Sequence, residues 1–129
     1  EKNVTFTGKM PNEQLPGFYA TADMFVGPSI ITDSGDTEGL GVVFLEALAS
    51  GTAVIGSNVG GIPDIIEDGK SGFLVPQKDS KVLADKIIDL LKNPQLQKDF
   101  ANYGKEHIKK NFSWESIAEK FNELFKSLS

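Results

Sequence analysis

The 129-residue sequence contains no cysteine and a single histidine, His107. That excludes a disulfide framework and a thiolate metal site, and it leaves zinc without a ligand set. No metal or other cofactor is therefore expected. Basic residues are in the minority, 13 Lys and Arg against 18 Asp and Glu, for a net charge of -5 and a pI near 4.8. A nucleic-acid face needs clustered positive charge, so no nucleic-acid partner is expected. No stretch approaches the ~18 consecutive apolar residues of a membrane span. The first residues do not read as a signal peptide. Internal repeats, linkers and low-complexity tracts are absent from the sequence. The expectation is one soluble, cytoplasmic domain over residues 1–129. A chain this long buries roughly two-thirds of its unfolded surface and needs no metal or disulfide to hold a core.

Short apolar runs alternate with helical patterns. Val4–Thr7 alternates β-branched and aromatic residues and stops at Gly8, which predicts a strand. Leu15, Phe18, Tyr19 and Ala22 recur at helical spacing, with Asn12 placed to cap the helix and Pro16 in its first turn. Met24–Val26, Ala53–Gly56 and Gly72–Val75 read as buried strands. Pro63 opens a short helix through Ile65 and Ile66, closed by Glu67-Asp68-Gly69. Beyond Pro76 the sequence turns to charged amphipathic helices, capped by Asp79, Asn93 and Ser113. The last carries an apolar stripe of Trp114, Ile117, Ala118, Phe121, Leu124, Phe125 and Leu128, with Trp114 as a core anchor. His107 extends the stripe of Leu96, Phe100 and Tyr103. The fold class is α/β. A Rossmann-like parallel sheet of about four strands carries helices on both faces and is followed by a C-terminal helical segment. Ligands of such sheets bind at the carboxyl ends of the strands, here the loops over 27–41 and 56–64. Ser57, Asn58, Gly60 and Gly61 are candidates for one wall of that cleft.

The chain is organised around Glu38-Gly39-Leu40-Gly41-Val42-Val43-Phe44-Leu45-Glu46. Glu46 is the only Asp, Glu, Lys or Arg between Gly39 and Pro63. Val42–Leu48 is apolar on nearly every side, which predicts a central, buried helix ended by Gly51. A carboxylate in such a helix needs a partner. It can accept two hydrogen bonds from a vicinal diol such as a ribose, or it can cap or pair structurally. Gly39-Leu40-Gly41 lies where a long polar loop, residues 29–37, enters that helix. Glycines there either bring backbone N–H groups and a helix N-terminus to a diphosphate or only permit a tight turn. A dinucleotide fingerprint does not fit, because Phe44 stands where its third glycine belongs. Nor do Glu38 and Glu46 suit a glycosidase pair, since eight helical steps rise ~12 Å. They suit the two ends of one elongated ligand. Asp33 and Asp36 read as solvated loop acids.

Together these residues resemble a family. Glu38-Gly39-Leu40-Gly41 with Glu46 matches the glutamate-x7-glutamate motif of retaining GT-B glycosyltransferases, family four, the group 1 transferases. Ala47–Ile55, Val59-Gly60-Gly61-Ile62-Pro63, Asp68-Gly69-x-x-Gly72–Val75 and Phe112-Ser113-Trp114 are similar to its further signatures, with Asp64 where the family usually has Glu. The resemblance implies a hexosyltransferase of polysaccharide or glycoconjugate biosynthesis using a UDP-, GDP- or ADP-sugar donor. It implies Glu38 at the donor sugar as the catalytic residue. Gly39, Leu40, Gly41 and Val42 would hold the distal phosphate, and Glu46 the ribose. It also implies that the chain corresponds to the C-terminal, donor-binding part. An acceptor-binding N-terminal domain and two strand–helix units, with their basic diphosphate ligands, would then lie outside it. The isolated chain is expected to be inactive, and the parent to work in the cytoplasm or at the cytoplasmic membrane surface. Without those units, Val4–Thr7 is expected to pair directly with Met24–Val26 or to dock elsewhere, and an exposed sheet edge to favour self-association. Two other readings stay open. One is a non-catalytic nucleotide-sugar-binding module or excised fragment. The other is a generic Rossmann-like interaction domain in which Glu46 is structural.

Overall fold

The computed structural model describes residues 2–37 and 39–129. Three parallel strands form one sheet in the order β1-β2-β3, with β1 at Phe25–Gly27, β2 at Val54–Ser57 and β3 at Gly72–Val75. Phe25 pairs with Val54, and Val54 with Gly72. Every residue of the central strand β2 is buried. Such a strand can be apolar throughout because helices cover both faces.

The two faces hold separate clusters. On one, Val54 packs with Phe44, Ala47 and Leu48 of α2 (Val42–Ala49), Ile62 and Ile65 of α3 (Ile62–Ile65), and Ile108 of α5 (Pro94–Phe112). On the other, Ile55 and Val75 pack with Leu90 of α4 (Ser80–Leu91) and Phe100 of α5. Alternation along β2 sends Val54 and Ile55 to opposite sides, so one strand serves both cores. The remaining helices are α1 (Leu15–Thr21), entered through a 3-10 turn at Asn12–Gln14, and α6 (Trp114–Ser127).

Capping follows the sequence closely in the second half. Asp79, Asn93 and Ser113 each accept a hydrogen bond from the backbone N–H three residues on, that of Val82, Leu96 and Ser116, at 3.0–3.1 Å. Helix α2 ends with Thr52 N–H donating to the Ala47 carbonyl and Gly51 N–H to that of Leu48. That is the paired bonding of a glycine-terminated helix. Asn12 caps nothing with its side chain, because the 3-10 turn starts one residue after Pro11.

Three expectations are corrected. Val4–Thr7 forms no strand, and it neither pairs with β1 nor docks on the core: Phe6 is 95% exposed. A short segment with no neighbouring strand has no ladder to join, so the sheet has three strands rather than four. Helix α2 is not buried all round. Phe44, Ala47 and Leu48 face the core, while Val42 and Val43 are exposed. Nor is Trp114 a core anchor, being 83% exposed. The stripe of α6 lies mostly in the open, because α6 packs mainly on the end of α5 and reaches neither sheet face.

Candidate functional site

The loops at the carboxyl ends of β1 and β2, residues 28–41 and 58–61, lie side by side. Gly41 is the N-cap of α2, with φ 76° in the left-handed region where a β-carbon is strained. Its carbonyl accepts from the Phe44 N–H at 2.9 Å and starts the first turn. The amides ahead of that bond have no partner within the helix, and they carry its positive end. Gly61 supports this turn from behind. A β-carbon there would fall 2.1 Å from the Gly39 carbonyl oxygen and 3.0 Å from the Leu40 α-carbon. The 58–61 loop therefore packs directly against the 39–41 turn. Ser57 is buried at the end of β2, and the Asn58 N–H donates to the Val75 carbonyl. Leu40 and Val42 turn their side chains outward.

The β1 loop is built from its own polar groups. Ser34 donates to the Asp36 carboxylate at 2.6 Å, and the Asp36 N–H donates to the Thr32 hydroxyl at 3.0 Å. Asp36 thus serves the turn. Gln77, in the connection from β3 to α4, accepts from the Ile31 N–H at 2.8 Å and pins the start of the loop. Glu38 lies outside the described residues.

Glu46 stands on α2 two residues past Phe44, about 200° round the helix from it. This is why its carboxylate is exposed rather than sunk among apolar neighbours. It borders an open cavity of about 280 Å³, lined also by Asn12, Leu15, Pro16 and Tyr19. Tyr19 donates from its phenol to Glu46 Oε2 at 3.2 Å. Partial burial, followed by the nearby Glu46 charge and that hydrogen bond, raises the Tyr19 pKa above its ordinary 10.0, so it is a protonated donor at neutral pH. The sequence places Tyr19 only as one member of an apolar stripe. No local signal ties it to a residue 27 positions on.

Residues 1–107 match the family model of the group 1 glycosyl transferases. The chain belongs to this family. It is 34% identical over 125 residues to the GDP-mannose-dependent alpha-(1-6)-phosphatidylinositol monomannoside mannosyltransferase of Mycobacterium tuberculosis, covering 96% of this chain and 32% of that protein. It superposes on the sucrose-phosphate synthase of Thermosynechococcus elongatus with a TM-score of 0.85 at 35% identity, over 98% of this chain and 30% of that one. A TarM variant from S. aureus, solved with fondaparinux, alpha-GlcNAc-glycerol and UDP, gives 0.77 at 30% identity, over 97% and 24%. The group 1 transferase chain thus spans about a third or less of the length of these relatives. Its sheet and flanking helices are those of the GT-B, Rossmann-like neighbours. Among the described residues no helix is long and apolar enough to cross a membrane.

Proposed function

We propose that the chain is the donor-binding part of a retaining glycosyltransferase that moves a hexose-type sugar from a nucleoside-diphosphate sugar to an acceptor hydroxyl. One observation carries this reading: the Gly41-capped end of α2, packed on Gly61, and the exposed Glu46 carboxylate lie on one helix. The helix end offers N–H groups and positive potential to the diphosphate. Five residues on, ~7.5 Å along the axis, Glu46 offers acceptor oxygens to the ribose hydroxyls. Glu38 takes the hydroxyls of the donor sugar, by resemblance to the family. The names of a GDP-mannose-dependent relative and a UDP-bound neighbour support a nucleoside diphosphate as the ligand.

In the reaction the bond from the anomeric carbon to the diphosphate oxygen breaks. The acceptor oxygen bonds that carbon on the same face, and its proton passes to the departing phosphate. The charge that grows on the phosphate is met by the fixed amides of α2, which need no reorganisation as it forms. This reading assigns no role to a metal ion. The acceptor is held by a part of the parent outside these residues.

Calorimetry on the full-length protein with UDP, GDP and ADP, free and sugar-linked, tests the reading. One base is expected to bind. Glu46→Gln should weaken it by about tenfold or more, the scale of hydrogen bonds to a charged group. No binding at millimolar nucleotide would leave a Rossmann-like interaction domain in which Glu46 is structural.

A further inference from the structure

We infer that Tyr19 is a positioning residue for Glu46, and that the two side chains form one diol-recognition unit spanning α1 and α2. The inference rests on the donor-site reading and adds to it the group that orients the ribose-facing carboxylate.

An exposed glutamate has three free torsions and samples many orientations. Two hydrogen bonds to a diol require one of them, so an unheld side chain loses much of its binding to ordering. Tyr19 supplies the hold. Its phenol reaches Glu46 Oε2 at 3.2 Å from α1, which packs on α2. The tyrosine is itself fixed at both ends. Its ring packs edge-on against Phe25 of β1, centroids 5.5 Å apart, and Phe25 packs in turn on Phe44 of α2 at 5.3 Å. Its backbone carbonyl accepts from the hydroxyl of buried Thr52, in the turn that follows α2. Tyr19 is therefore tied to both ends of the helix that carries Glu46.

The count of acceptor sites also suits the role. A carboxylate offers about four lone-pair directions, and a vicinal diol brings two donors. The phenol occupies one direction and leaves enough for both hydroxyls. Tyr19 donates its phenol proton to Oε2, so phenol and diol hydroxyls are all donors and share the carboxylate's acceptor sites. The cavity beside the pair, lined also by Asn12 and Leu15, leaves the exposed carboxylate reachable from solvent.

The test compares wild type, Tyr19→Phe, Glu46→Gln and the double variant in the full-length protein. Calorimetry measures binding of UDP, GDP and ADP and of their 2′-deoxy counterparts. Wild type should prefer the ribonucleotide. Tyr19→Phe should lose about three- to tenfold toward the ribonucleotide and nothing toward the deoxynucleotide. The double variant should be no weaker than Glu46→Gln alone, because a positioning residue has no effect once its target is gone. Phenylalanine keeps the ring contact with Phe25, so melting should barely move. If Tyr19→Phe fails to fold, Glu46→Asp replaces it. The shorter carboxylate withdraws from the phenol, and near-equal affinity for the two sugars is expected. A Tyr19→Phe or Glu46→Asp protein that keeps the wild-type preference overturns the positioning role and leaves the donor site standing. A wild type that binds no nucleotide, or binds both sugars equally, overturns both.

Discussion

Gly61 sits so close to the Gly39 carbonyl that even a methyl group has to displace the backbone of the turn rather than a pliable side chain. Gly61→Ala is expected to cost about 1–3 kcal/mol, the range for forcing extra volume into a packed contact. It should also weaken nucleotide binding, since the displaced turn is the one that presents the α2 amides. A urea titration read beside calorimetry checks both effects. The spacing of Glu38 and Glu46 and the glycines between them are legible in the sequence, because they are local. The environment of Glu46 is not. The apolar run of α2 suggests burial all round, yet only Phe44, Ala47 and Leu48 of that helix are fully buried, with Leu45 partly buried against the same cluster. Helical rotation carries Glu46 away from them. Tyr19 escapes sequence reading for a different reason: the contact it makes is created by the packing of α1 on α2, and nothing near position 19 encodes it.

Elements whose signals lie within a few residues are read well. Strand β3 and the caps at Asp79, Asn93 and Ser113 fall where the sequence places them. Val4–Thr7 has the pattern of a strand but no partner to complete it, and pattern alone cannot supply the ladder. Links between elements are equally invisible beforehand. Tyr103 of α5 donates to Glu67 in the turn between α3 and β3, which also meets Lys70 at 3.3 Å. The Tyr103 hydrogen bond, ahead of the Lys70 contacts, lowers the Glu67 pKa below its ordinary 4.5. The same bond raises Tyr103 above 10.0. A depressed carboxylate contributes stability above its unfolded value, and this is lost as pH falls through the folded one. A raised phenol contributes below its unfolded value, and this is lost as pH rises through the folded one. The clasp is therefore complete between those limits. Tyr103→Phe is expected to be less stable than wild type at pH 7, with the gap closing as pH drops below about 4.5. Urea midpoints of both proteins at pH 7 and pH 3 give the comparison.

The molecule as a whole leaves much apolar surface uncovered. Phe6, Trp114, Phe121, Phe125 and Leu128 are all more than half exposed; three of these lie on α6 and Leu128 caps its end. Single exposed apolar residues are ordinary, but a run of them along one helix favours association. Prepared as these 129 residues, the protein is expected to gain mass with concentration in sedimentation velocity. Trp114→Ser with Phe125→Ser should shift it toward the monomer; a wild type that stays monomeric at high concentration would count against the expectation. The hydrogen bond from Ile31 to Gln77 bears on how the long loop after β1 behaves. It docks the root of the loop, as far as Ile31, on the connection from β3 to α4. The next residues have their own internal bracing at Thr32, Ser34 and Asp36. With Gly39 and Leu40 packed against Gly61 at its other end, the approach to α2 is fastened on both sides, so a change at Gln77 or at Gly61 is felt at the same helix end.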